Sequence, residues 1–358
     1  MTDQPTGTVD YRLRALGILA ISALVSVALA AFAIFYQASL LAPKTVPGPF
    51  FPGLASQLQN VIRIRVESKK AVLDVVRHQD GRWTVLERAN YPASLEEVQK
   101  SLVGLAALQT IEPKTSRPDW FHYVNLDAPP KGDGVRISVG DSFGKTIASA
   151  IFGATEDIGD PSGATGIFVL KAGETQSWLA RSVFAPKPDP GDWMDKTVVK
   201  VDRERIQEVD VTPLSGPAYT ARRERPNEPD FKLLHLPTGR EPTNEAAADG
   251  VASALTGFGF EDARPVGQVD FSKAARITTK TFDGLTVTAT VAQVGPDYWA
   301  KLVATADPAH PEAQREAVEI AAQTSPWAYK LPAYEGQLFT TALESLLKPE
   351  GAPAKTEE

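Results

Sequence analysis

The chain has 358 residues, is 43% hydrophobic and 23% charged, and carries a formal net charge of -7. Those values describe a folded protein of about two globular units, and the acidic balance argues against nucleic acid and anionic lipid headgroups as partners. There is no cysteine, which excludes disulfides, thiol chemistry, a lipid-modified cysteine anchor and Cys-zinc sites.

Residues 1–14 carry Asp3, Asp10, Arg12 and Arg14 and sum to zero charge. From Ala15 to Tyr36 run twenty-two residues without a charge, enough at ~1.5 Å per residue to cross a ~30 Å hydrocarbon core. Arg12 and Arg14 abut this segment, whereas beyond it Lys44 is the sole basic residue before Arg63. Basic flanks are retained in the cytoplasm. The expected topology is therefore a cytoplasmic N-terminus (1–14), one transmembrane helix (15–36) in the cytoplasmic (inner) membrane, and a large extracytoplasmic, periplasmic part. Ala28-Leu29-Ala30 also offers a cleavage site after an apolar run. Phe32 to Tyr36 continue the apolar stretch past it, however, and Tyr36 suits an interface, which favours retention. Ser22, Ser26 and Ala30 recur every four residues. Small residues at that spacing let helices approach closely in lipid, although an alanine-rich anchor also produces the pattern by chance.

Pro43, Pro47, Pro49 and Pro52, with Gly48 and Gly53, mark an extended spacer over 43–60. Strands are then predicted at Val61–Val66, where apolar and basic residues alternate, at Val72–Arg77, and at Gly81–Val85 after an Asp80-Gly81 turn. Ser94 with Glu97 forms a capping box that opens a helix bearing Val98, Leu102, Leu105 and Leu108 on one face. Gly134–Val139 and Lys145–Phe152 read as a hairpin, and Gly166–Leu170 as a further strand. Element order then repeats. Ile206–Val211, Ala218–Arg223 and Asp230–Leu236 are strands, and Pro242-Thr243 opens a helix bearing Ala247, Val251, Leu255 and Phe258. Ala274–Thr279, Leu285–Ala292 and Tyr298–Val303 are strands again. Trp83 maps to Phe231, Leu105 to Leu255 and Gly144 to Gly284. Two closing helices are expected at Pro311–Thr324 and Tyr334–Leu347. The fold class is α+β: after the membrane helix, two tandem modules (61–202 and 203–348), each a mainly antiparallel sheet with a packed helix, and a disordered polar tail (349–358).

Gly81-Arg82-Trp83, Tyr91-Pro92-Ala93-Ser94, the Leu102/Leu105/Leu108 helix, Tyr123-Val-Asn-Leu-Asp-Ala-Pro129, Ile151-Phe-Gly153, Gly166-Ile-Phe-Val-Leu170 and Asp192-Trp-Met-Asp-Lys-Thr-Val-Val-Lys-Val-Asp202 resemble, in order and spacing, a bacterial family known only as domain of unknown function 4340. The resemblance covers about 62–212 well and the remainder loosely. It departs where the family has a glycine after the tyrosine of Tyr-Gly-Leu-Asp, since Val124-Asn125 intervene here. The resemblance implies one N-terminal membrane helix and an exterior domain, with some members accompanying ABC-type transporters of the gliding-motility auxiliary type. It implies no catalytic residue.

Candidate chemistry is sparse. Ser142-Phe-Gly-Lys145 fits S-x-x-K, but the companion motifs are absent and the segment is the predicted hairpin turn. Glu156, Asp157 and Asp160 gather carboxylates without the spacing of a calcium loop. His78, His122, His235 and His310 are scattered without ligand spacing, and Gly257-Phe-Gly259 lacks the rest of a phosphate loop. Arg222-Arg223-Glu224-Arg225 reads as a solvated strand edge. Trp120-Phe121-His122-Tyr123 concentrates aromatics, either as an interaction surface made by Trp120, Phe121 and Tyr123 or as a plug for the module core. The expected function is a non-enzymatic, membrane-anchored accessory protein without cofactor or metal. Its partners are then the lipid bilayer and other membrane or envelope proteins, such as an ABC-type transporter or envelope assembly, and not nucleic acid. The alternative is a cell-envelope hydrolase or glycan-binding protein with a site between the modules.

Overall fold

A computed structural model describes residues 22–33 and 48–349. Residues 22–33 form a helix, α1, whose side chains are exposed. The rest of the predicted membrane segment and the tail from 350 lie outside the described residues. Among the described residues, no helix is long and apolar enough to cross a membrane.

The first sheet is built from β1 (Arg63–Glu67), β2 (Val72–Arg77), β3 (Trp83–Val85), β4 (Tyr91–Pro92), β5 (Gln109–Pro113), β6 (Val135–Gly140), β7 (Thr146–Glu156), β8 (Thr165–Lys171) and β9 (Ser177–Ser182). Its order is β4-β3-β2-β1-β6-β7-β8-β9-β5, with every neighbour antiparallel. Alternation explains β1. Ile64 and Val66 are fully buried, while Arg63 and Arg65 turn to the other face and both hold Asp74, since a period of two sends successive side chains to opposite faces. Helix α2 (Leu95–Ala107) covers the core face. Ser94 caps it, its hydroxyl accepting the Glu97 N–H at 3.3 Å, but the reciprocal arm of the capping box is missing because the Glu97 carboxylate pairs with Lys187 at 2.7 Å.

The second sheet contains β10 (Ile206–Thr212), β11 (Tyr219–Arg222), β12 (Lys232–Leu234), β13 (Asp262–Pro265), β14 (Ala274–Thr281), β15 (Leu285–Val294), β16 (Asp297–Ala306) and β17 (Trp327–Leu331). Its order, β12-β11-β10-β14-β15-β16-β17-β13, repeats the first sheet strand for strand and lacks a counterpart of β4. Details of chemistry repeat too. Ser138 bonds Ser149 across β6–β7, as Thr278 bonds Thr288 across β14–β15. Gly144 and Gly284 both adopt positive φ in the equivalent hairpin turns, where only glycine enters the left-handed region without steric cost.

The helix expected from Pro242 to Phe258 is reduced to one turn, α3 (Asp249–Ala252). Its apolar positions are buried as expected, with Val251, Leu255 and Phe258 all in the core. The helix stops short because Gly250 and Gly257 weaken it and the Asp249 carboxylate is committed to Phe231 N and to Arg203. The helix lying on the second sheet is instead α4 (Pro311–Thr324), packed on β15 and β16 through Ala313, Ala317 and Ile320. The last predicted helix splits into α5 (Ala333–Phe339) and a 3-10 turn at Leu343–Leu346. Arg223 is not solvated. It is 2% exposed, its guanidinium donates to the Ile206, Glu228 and Arg203 carbonyls, and it stacks on Phe231 at 4.8 Å.

Tyr91 joins the two sheets. Its ring lies edge-on to Phe260, Trp327 and Tyr329 at 5.8, 4.9 and 6.3 Å, and its hydroxyl donates to Asp195 O at 3.1 Å. Burial pushes both the Tyr91 and the Tyr329 phenol well above the usual range. Nearby, Lys196 donates to Phe260 O at 2.7 Å and Glu261 O at 3.2 Å, and Arg88 pairs with Asp262 at 2.5 Å. One hydrophobic core runs through both sheets.

Candidate functional site

Beyond β5 the chain crosses the outer face of β7 and β8. Ile151 and Leu170 project to this face, and Phe121 and Leu126 bury themselves on them in a small core of their own, flanked by Val124 and Phe168. Phe152 and Val169, one residue along, point into the main core. The crossing is tied at its start, where Lys114 N donates to Ser177 O, and Ser177 N and Oγ donate to Thr115 O at 2.9 and 2.6 Å. It then forms a 3-10 turn over Pro118–Val124, closed by Asn125 at φ 55. Gly153 is required beneath it, because a Cβ there would sit 2.1 Å from Val124 O.

One side of this turn must face the sheet, so its aromatics divide. Phe121 is 8% exposed, whereas Trp120 is 48% and Tyr123 75% exposed. The outward pair lines an open cleft of about 610 Å³ together with Glu112, Lys114, Arg117 and Phe168. The Arg117 guanidinium lies 4.8 Å from the Trp120 ring and the Lys114 ammonium 5.5 Å from Phe168, while His122 packs on Tyr123 at 3.9 Å. Lys114 also pairs with Glu112 at 2.5 Å. Rigid rings held beside fixed cations offer a desolvating surface with charged handles, the chemistry of an interaction site. Of the three aromatics singled out by sequence, two meet in the cleft and Phe121 anchors them from below.

The other sequence candidates do not converge on it. Ser22, Ser26 and Ala30 share one face of α1 by helical spacing. Ser142 and Lys145 sit in the β6–β7 turn, where Asp141 Oδ1 accepts from Phe143 N and Lys145 N at 2.9 and 3.0 Å. No helix carries them, so serine and lysine lack the geometry that Ser-Lys chemistry needs. In the acidic loop Asp160 binds Arg181 and Ser162, and Asp157 accepts from Gly159 N at 2.8 Å. The Arg181 guanidinium, then Ser162, hold the Asp160 carboxyl below the usual carboxylate range. Among the described residues no group of three or more His, Asp or Glu could hold a metal ion.

Between the modules lies a polar cleft of about 300 Å³ bordered by Glu87, Arg88, Asp262 and Arg264. Its carboxylates are committed, Glu87 to the Asp74 N–H at 2.8 Å and Asp262 to Arg88 and to the Ala263 N–H at 2.9 Å. Sequence reading passed over Lys196, the staple across this junction. Burial pushes its ammonium below the usual lysine range, and its place in the Asp192–Asp202 run among the buried Trp193, Met194, Val198, Val199 and Val201 was the available signal.

A family model described as "Domain of unknown function (DUF4340)" matches residues 83–279. No curated protein matches the chain, and no solved structure does.

Proposed function

The chain belongs to the DUF4340 family, and from that premise we propose that it is a membrane-anchored, extracytoplasmic accessory protein that binds another envelope protein through the outer face of its first module. The observation that carries this reading is the exposed Trp120–Tyr123 pair, fixed over buried Phe121 and lining an open cleft. Anchoring is supported by the uncharged Ala15–Tyr36 segment and its Arg12/Arg14 flank. An ABC-type transporter or another envelope assembly is the partner class that the family resemblance suggests. A hydrolase or glycan-binding site between the modules is the weaker reading, since Glu87 and Asp262 there are engaged in bonds that hold the fold.

In-cell photo-crosslinking tests it. A photoreactive side chain at Tyr123 should give a discrete adduct with one membrane or envelope protein, and Trp120→Ala should abolish that adduct without lowering the protein level. A lack of any adduct from Tyr123, or an adduct indifferent to Trp120→Ala, would refute the docking role of the cleft.

A further inference from the structure

The two sheets differ at one edge, and the difference opens a second site, independent of the aromatic cleft. In the first module β4 lies beside β3 with Val85 opposite Tyr91, and Ala93 N donates to Trp83 O at 2.8 Å. The chain is then closed by a bridge from Ala93 to Met194, with Ser94 N donating to Trp193 O and Asp195 N to Pro92 O. The second module repeats that closure. Pro242 bridges Leu347, Thr243 N donates to Leu346 O and Lys348 N to Glu241 O, each at 2.9 Å. Pro242 therefore stands where Ala93 stands, and Phe231 where Trp83 stands. Proline has no N–H, so the bond that zips β4 onto β3 has no equivalent here. Among the described residues no strand pairs with the outer side of β12.

In its place is a pocket of about 420 Å³ with an apolar floor of Phe231, Leu233, Pro242, Ala247 and Ala248. The Phe231 N–H is turned outward to the Asp249 carboxylate at 2.9 Å. Backbone polarity alternates along a strand, so the N–H and C=O of Leu233 face outward as well. Asp230 and Glu245 line the pocket against the one lysine, Lys232. Burial first, then Asp249 and Glu245, raise the Asp230 carboxyl above its ordinary range against the lowering pull of Arg203, and at the pocket itself the carboxylates of Asp230 and Glu245 outnumber the single ammonium of Lys232.

We propose that the pocket between the outer edge of β12 and the chain's own 242–248 segment receives an extended segment of a partner protein, which pairs with β12 as a ninth strand. An apolar side chain opposite Leu233 would fill the pocket, with lysine or arginine two residues away beside Asp230 and Glu245. Backbone bonds supply affinity in such strand addition, and alternate side chains supply specificity. The pocket and the charge select a basic, alternating peptide over an acidic one.

The test uses the full chain in detergent and two fluorescent peptides, Lys-Val-Tyr-Val-Lys and Glu-Val-Tyr-Val-Glu, with binding read by anisotropy. The basic peptide should bind at least about tenfold more tightly. Leu233→Pro removes an outward N–H and should weaken it at least about tenfold, and Glu245→Lys should reverse the preference between the peptides. Should Leu233→Pro not fold, the exposed Glu245→Lys decides alone. Failure of both peptides to bind, equal binding, or a folded Leu233→Pro that binds normally overturns the proposal. So would displacement of the probe by a synthetic peptide of residues 350–358, which assigns the edge to the chain's own tail. Self-association lost in Leu233→Pro would assign it to a second copy.

Discussion

Removing the Tyr91 ring should uncouple the two modules, because that one side chain meets three aromatic rings of the second module while its hydroxyl is held by the Asp195 carbonyl at the end of the first. Tyr91 is 4% exposed. Truncating a buried aromatic to alanine costs ~3–5 kcal/mol through lost transfer energy and the cavity left behind. Tyr91→Phe keeps the ring and loses one hydrogen bond, for ~0.5–1.5 kcal/mol. Of the edge-on contacts, that with Trp327 at 4.9 Å is the shortest, and a double-mutant cycle with Trp327→Ala should return a coupling of ~0.5–1.5 kcal/mol. Urea unfolding of the full chain in detergent, followed by tryptophan fluorescence, measures all of these. Tyr91→Ala should also split the transition, with Lys196 and the Arg88–Asp262 pair left to hold the junction. A cost for Tyr91→Ala no larger than for Tyr91→Phe, within a single transition, would show that the modules do not depend on this ring.

Trp83→Ala should destabilise by ~3–5 kcal/mol, read from the urea midpoint, since Trp83 is 8% exposed at the start of β3; a normal midpoint would remove it from the core. Ser142→Ala and Lys145→Ala should leave folding and phenotype unchanged, and loss of phenotype in a normally folded, normally localised variant would favour an enzyme. Asp160 has its folded pKa depressed by Arg181. Its stabilising effect is therefore fully present above the ordinary carboxylate pKa and lost as pH falls through the lower folded value, and carboxyl NMR should show Asp160 still ionised when exposed aspartates are protonated. Titration alongside those aspartates would refute the pairing. Alkaline phosphatase fused after residue 60 should be active and green fluorescent protein dark, and the reverse would overturn the proposed topology.

Strands with strong alternation were legible in the sequence: β1, β14 and β15 fall where apolar and polar residues take turns, and β2 was legible as a short apolar run. β5, β9, β13 and β17 were not. Gln109–Pro113 and Asp262–Pro265 each end in proline, and Ser177–Ser182 has no β-branched residue, so these segments become strands through their neighbours rather than through local preference. The Pro242–Phe258 helix failed in the opposite sense. Its apolar spacing was real and its residues are buried, but burial of Val251, Leu255 and Phe258 can be met by turns once Asp249 is drawn to Arg203 and Phe231. At the candidate site the aromatic run was visible, yet which rings face out depended on the sheet beneath, and no local pattern separates Phe121 from Trp120 and Tyr123.

The repeat itself bears on the two proposed docking surfaces. Several positions keep their chemistry between the sheets: Pro113 opposite Trp178 is matched by Pro265 opposite Trp327 at the β5 and β13 edges, and the hydroxyl pairs and turn glycines recur. Others diverge. Ala93 becomes Pro242, Tyr91 becomes Arg240, and the crossing that carries Trp120 and Tyr123 between β5 and β6 gives way between β13 and β14 to a short 3-10 turn at Val266–Gln268. Those changes have local physical effects. At β4 the edge is filled by the chain's own strand and packs on the second module; at β12 Pro242 takes the place of Ala93 without its hydrogen bond, beside a pocket lined by Asp230 and Glu245. A chain that needed both modules only as a rigid spacer would have no reason to leave one sheet edge closed and its counterpart unpaired, because exposed edges invite unwanted pairing.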